Sequence, residues 1–164
     1  MRGGESELLT YEEALYHKLL LAAGENDQFE LLLNHLLEDE DPLSEVTLNL
    51  SACRGDHGAV IDVLNHYLST AGEGQIDVNA VFDRIVAYLR QWYEAKPDKL
   101  KELANIMYLI ASGPEQYYVD PWLQLNNASD EYDLVSIGVL RESKYRKLLK
   151  AFLYDGKPVF SSGQ

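Results

Sequence analysis

The chain has 164 residues, a length that suits one domain with a sizeable core, and 46% of them are hydrophobic, as in folded globular proteins. With 27 acidic against 14 basic residues the formal charge is −13, a field that repels phosphate backbones and excludes nucleic acid as an expected partner. No apolar run approaches the ~18 residues needed to cross a bilayer, so no membrane association is expected.

In chain order, the pattern is helical throughout. Thr10-Tyr-Glu-Glu13 reads as a capping box, in which the Thr hydroxyl and the Glu carboxylate satisfy each other's backbone amides. Leu15, Leu19 and Ala22/Ala23 continue at helical spacing, and Gly24 suits the left-handed residue after a helix end. Asp27 and Glu30 suggest a second capping box, followed by Leu32, Leu33, Leu36 and Leu37 on one face. The run Glu38-Asp-Glu-Asp41 breaks the pattern, and four like charges are expected to stay solvated. Asp41-Pro42 then reads as a helix start, with a third helix over Leu43 to Cys53 and a fourth over Ala59 to Thr70.

The loop Ala71-Gly-Glu-Gly-Gln75 precedes Asp77, which caps a fifth helix over Val78 to Ala95. A sixth, Asp98 to Ala111, places Leu100, Leu103, Ile106, Met107 and Ile110 inward. After the break at Ser112-Gly-Pro-Glu115, Asp120-Pro121 starts a short helix over Trp122 to Asn126, and Ser129 or Asp130 starts another ending near Gly138. The last helix, Glu142 to Tyr154, turns Tyr145, Leu148, Leu149 and Phe152 inward and Lys144, Arg146, Lys147 and Lys150 outward, and Gly156 ends it. The expected fold is therefore all-α: a single domain of about seven to nine helices over residues 10–156, built as stacked antiparallel hairpins, either superhelix-like or an irregular bundle. Residues 1–9 and 157–164 read as tails.

One pattern is written twice. Leu19 to Leu37 and Leu50 to Leu68 align at an offset of 31, matching Gly24 with Gly55, Phe29 with Val60, Leu33 with Leu64, and Asn34-His35 with Asn65-His66. Repeats of this size usually mark helical hairpins that bury their apolar faces on each other. The turns Gly24-Glu-Asn-Asp-Gln-Phe29 and Gly55-Asp-His-Gly-Ala-Val60, with Asp77-Val78-Asn79 after the second unit, faintly resemble the helix-turn-helix step of ankyrin repeats. No Thr-Pro-Leu-His opens either unit, the first helix is too long and nothing after Ala80 fits. The resemblance implies stacked hairpins and no family.

Two groups of residues could carry a function. Asp56, His57, Asp62 and His66 are metal-ligand types, and Asp62 and His66 share a helix face at four-residue spacing, so a metal-assisted hydrolase is the alternative expectation. The plainer reading is a capped helix start with a surface histidine. Tyr117, Tyr118, Asp120, Trp122, Asp130, Glu131, Tyr132 and Asp133 form the other group. Aromatics ringed by acids make docking surfaces for Arg and Lys, although rings also close the ends of helical stacks.

Arg54-Gly55-Asp56 spells an adhesion tripeptide but reads more simply as a helix stop followed by a cap. Cys53, with His57 four residues on, could be an activated thiol; its apolar face favours a core cysteine. No phosphate-binding loop or nucleophile elbow is present, and no cofactor is expected. The N-terminal MRGGESELLT lacks a secretory apolar stretch and the single cysteine excludes an intrachain disulfide, so the expected location is cytoplasmic. The expected function is a non-enzymatic protein-binding module, in concrete form an acidic inhibitor or immunity-type protein that masks a basic partner such as a nuclease toxin.

Overall fold

A computed structural model describes residues 8–114 and 118–160. These contain eight α-helices and no strand: α1 (Tyr11–Ala22), α2 (Asp27–Asp39), α3 (Glu45–Ala52), α4 (His57–Ser69), α5 (Val78–Ala95), α6 (Leu100–Ala111), α7 (Trp122–Ser136) and α8 (Glu142–Asp155). The all-α expectation holds. The chain forms two compact units, residues 1–81 and 82–164.

In the first unit α1 packs on α4 and α2, and α3 packs on both α2 and α4. Local chemistry sets most of the helix ends. The Thr10 hydroxyl accepts from the Glu13 amide at 3.0 Å, and the Glu13 carboxylate accepts from the Thr10 amide at 3.2 Å. At the other end of α1 the Gly24 amide donates to the Leu21 carbonyl and the Glu25 amide to Leu20, with Gly24 at φ +83°. This closing pair of bonds requires a left-handed residue, which glycine supplies without Cβ strain. Asp56 caps α4 through the Ala59 amide at 3.1 Å, and Asp77 caps α5 through Ala80 at 3.0 Å.

Both copies of the repeat feed one core. Phe29, Leu33, Val60 and Leu64 lie in a single buried cluster with Leu21, Leu36, Val46 and Leu50. Gly24 and Gly55 both have positive φ. The repeated Asn-His pairs are exposed and add nothing to that core.

Three local expectations are corrected here. Asn26, not Asp27, precedes α2, and it makes no side-chain capping bond, so the second capping box does not form. The helix predicted from Asp41-Pro42 starts at Glu45, with Ser44 as its cap. Glu40 is not solvated like its neighbours but only 5% exposed. Its carboxylate accepts from the Leu8 amide at 2.9 Å and from the Ser44 amide and hydroxyl at 3.1 and 3.0 Å. A buried carboxylate is tolerated when such donors replace its water.

In the second unit α6 packs on α7 and α7 on α8. Leu100, Leu103, Ile106, Met107 and Ile110 are all buried, as the spacing predicts. The two short helices expected after Asp120 are one continuous helix, α7. Tertiary bonds hold its middle together: the Asn127 amide donates to the Val159 carbonyl at 2.8 Å, and the Tyr145 hydroxyl donates to the Ala128 carbonyl at 2.9 Å. These partners offset the weak helix propensity of Asn126-Asn127. The first of these bonds also anchors part of the expected C-terminal tail, because Val159 is 1% exposed. Arg146, expected to face outward, instead donates to the Tyr93 hydroxyl at 3.1 Å and the Pro97 carbonyl at 2.9 Å. Gly156 ends α8 at φ +67°.

Candidate functional site

Of the eight residues expected to form an acidic, aromatic docking surface, Tyr117 lies outside the described residues. The other seven are split between core and surface. Trp122 is 4% exposed and packs edge-on against Phe82 at 5.6 Å between ring centres. Glu131 is buried as well. These two are corrected from surface to interior: α7 turns Trp122, Leu125, Ala128 and Glu131 inward together, at spacings of three. Tyr118 and Asp120 are exposed near the start of α7, where the Asp120 carboxylate accepts from the Gln124 amide at 2.9 Å.

The remaining three, Asp130, Tyr132 and Asp133, do come together. With Ser129 and Ser136 they form one wall of a groove of about 510 Å³. The other wall is the outer stripe of α6, Lys101, Ala104, Asn105 and Tyr108. Tyr132 stands half-buried, its ring edge-on to Tyr145 at 5.6 Å, while Tyr108 is 51% exposed. Burial, together with the nearby Asp133 and Glu131, pushes the Asp130 carboxyl above the ordinary carboxylate range. Tyr145 shifts upward as well, chiefly through burial. Sequence reading overlooked Tyr108, Asn105 and Ser129. A signal existed: Lys101, Asn105 and Tyr108 recur at four and three residues on the side of α6 opposite Leu103 and Met107.

The Asp/His group does not assemble. Among the described residues no three His, Cys, Asp or Glu side chains are placed to hold a metal ion. Asp56 is engaged in capping α4, and the His57 ring pairs with the Asn26 amide at 3.3 Å. Asp62 and His66 are exposed further along the helix. His66 instead lines a groove of about 300 Å³ with Tyr11, Glu45, Asn49 and Tyr67. The reason is geometric: a cap points along the helix axis towards the first amides, whereas Asp62 and His66 project sideways two turns later.

The other motifs are structural too. The Arg54 guanidinium binds Glu30 at 3.2 Å and Asn34 at 3.0 Å, so Arg54-Gly55-Asp56 is a tied-down turn. The Cys53 thiol donates to the Asn49 carbonyl, and burial pushes its pKa up, the reverse of activation. No described helix is long and apolar enough to cross a membrane. Compared with protein-family models, with characterised proteins and with solved structures, the chain gives no match in any of the three.

Proposed function

We propose that this chain is a non-enzymatic cytoplasmic module that binds a protein with a basic surface, as an acidic inhibitor or immunity-type protein masks its target. The observation that carries the reading is how charge divides between the two units. Residues 1–81 hold sixteen acids and three bases, net −13, whereas residues 82–164 hold eleven of each and are neutral. The excess charge of the whole chain therefore belongs to one unit. Glu38, Asp39 and Asp41 are exposed there in a single short stretch. Such crowding raises the free energy of the isolated unit by self-repulsion, which a cationic partner relieves. A nuclease whose substrate groove is lined with cations fits this chemistry, because carboxylates would stand where phosphates bind.

The test is kinetic. Proteins captured from the native host are measured for association with the wild type and with a Glu38→Gln, Asp39→Asn, Asp41→Asn variant over a range of salt. The field decays over ~10 Å at 0.1 M ionic strength and ~3 Å at 1 M. Association should slow with rising salt and slow again in the variant, while dissociation changes little. A partner that presents an acidic face, or one whose association rate ignores salt, refutes the proposal.

A further inference from the structure

We infer that the groove between α6 and α7 is a socket for an arginine side chain, the anchor by which a basic partner would be held. Its identification with a partner rests on the proposed function; its chemistry does not. The groove brings two aromatic rings, two carboxylates and an open hydroxyl to one concave site. Asp130 and Asp133 are three residues apart on α7, both exposed, and neither has an ion-pair partner among the described residues. Among the described residues Asp130 meets only the Asn126 side-chain amide, at a long 3.4 Å. Ser129 gives an independent indication of a ligand. The residue is 8% exposed, and its hydroxyl, which makes no hydrogen bond among the described residues, is open to the groove rather than sealed in the core.

A guanidinium suits this set better than an ammonium. It is planar, it spreads five N–H donors over a fork that two carboxylates and a hydroxyl can share, and its face stacks on tyrosine. Tyr108 and Tyr132 line the groove, one from each wall. Burial, and after it the neighbouring Asp133 and Glu131, raises the Asp130 pKa, and a cation between Asp130 and Asp133 would relieve the like-charge part of that. Lys101, the one cation among the described residues that line the groove, is exposed on a flexible stem and can turn into solvent as a ligand enters.

The experiment titrates the full isotope-labelled chain, followed by amide and side-chain NMR, with N-acetyl-arginine amide, its lysine counterpart and its citrulline counterpart. The expected result is saturable shifts confined to Asn105, Tyr108 and residues 129–136, with affinity in the order arginine, lysine, citrulline. Asp130→Asn and Tyr108→Ala replace exposed side chains, so the fold is retained; each should weaken arginine binding by about three- to ten-fold, and Asp130→Glu should restore it. Shifts equal for lysine and arginine and scattered over the acidic first unit would overturn the socket, as would an Asp130→Asn protein that titrates like the wild type. The socket and the proposed function fail separately. A captured basic partner that binds Asp130→Asn unchanged removes the socket alone. Arginine amide seated in the groove of a chain whose captured partner is acidic removes the functional reading alone.

Discussion

Glu40→Gln should destabilise the protein at neutral pH and leave it almost unchanged in acid. The carboxylate of Glu40 takes donors on both oxygens, the Leu8 amide and the Ser44 hydroxyl on one, the Ser44 amide and hydroxyl on the other. A glutamine of the same shape turns one of those oxygens into a donor, which then faces a backbone N–H. The Ser44 hydroxyl can rotate to compensate, but the opposed amide cannot. One charge-assisted bond is lost, worth about 1.5–3 kcal/mol, so about 2 kcal/mol is a fair central value. For a chain of this length that lowers Tm by roughly 4–8 °C. The pH dependence has a definite sign. Burial alone would raise the Glu40 pKa, but the hydrogen bonds from Thr47, Leu8 and Ser44 outweigh it and hold it below its ordinary value of 4.5. A carboxyl depressed in the folded state contributes its full stability above its unfolded pKa and loses it as pH falls through the folded one. Thermal melts of wild type and variant, followed by circular dichroism from pH 7 downward, should therefore differ fully at pH 7, draw together once pH falls below the unfolded glutamate value of about 4.3, and converge only when Glu40 is protonated in the folded state. Equal melting temperatures at pH 7, or a gap that persists unchanged at the acid end, would refute the reasoning.

Leu64 is fully buried among the repeat leucines, so Leu64→Ala should cost ~2–5 kcal/mol in a denaturant titration. Asp39→Ala removes only an exposed pair with His35 and should stay within about 0.5 kcal/mol of wild type; parity between the two variants would mean that the repeat does not build the core. Trp122→Ala should act on stability, by ~3–5 kcal/mol, because the ring is buried against Phe82. A Trp122→Ala protein that melts with the wild type would return Trp122 to the surface. At Gly156 an added Cβ meets nothing, so Gly156→Ala isolates the backbone cost of φ +67°, roughly 1 kcal/mol by chemical denaturation. A variant more stable than wild type would contradict that conformation.

Helix positions and core faces were legible in the sequence because their causes are local. The Thr10 capping box, the Asp56 and Asp77 caps and the glycines at 24 and 156 act within one turn of chain. Helical periodicity reports which side of a segment is apolar, and so it located Leu33, Leu64 and the inner face of α6. What it does not report is what lies opposite a polar or amphipathic side chain. Glu40 read as solvated because its donors are the Leu8 amide, 32 residues away, and Ser44, which only the bend between α2 and α3 turns back onto it.

The docking cluster is divided between core and surface for the same reason. Trp122, Tyr132 and the acids near them are neighbours in sequence, but a continuous α7 sends them to different sides. Val159 and Tyr145, distant in the chain, bond to Asn127 and Ala128 in the middle of that helix. The sequence by itself determined an all-helical protein, its core leucines and the acidity of its first half. Only the tertiary structure decided which aromatics are buried, that α6 and α7 enclose a groove, and that the net charge is confined to one of two units. Local chemistry fixes a helix and its faces, whereas burial of a polar or aromatic group depends on partners that folding brings from elsewhere in the chain.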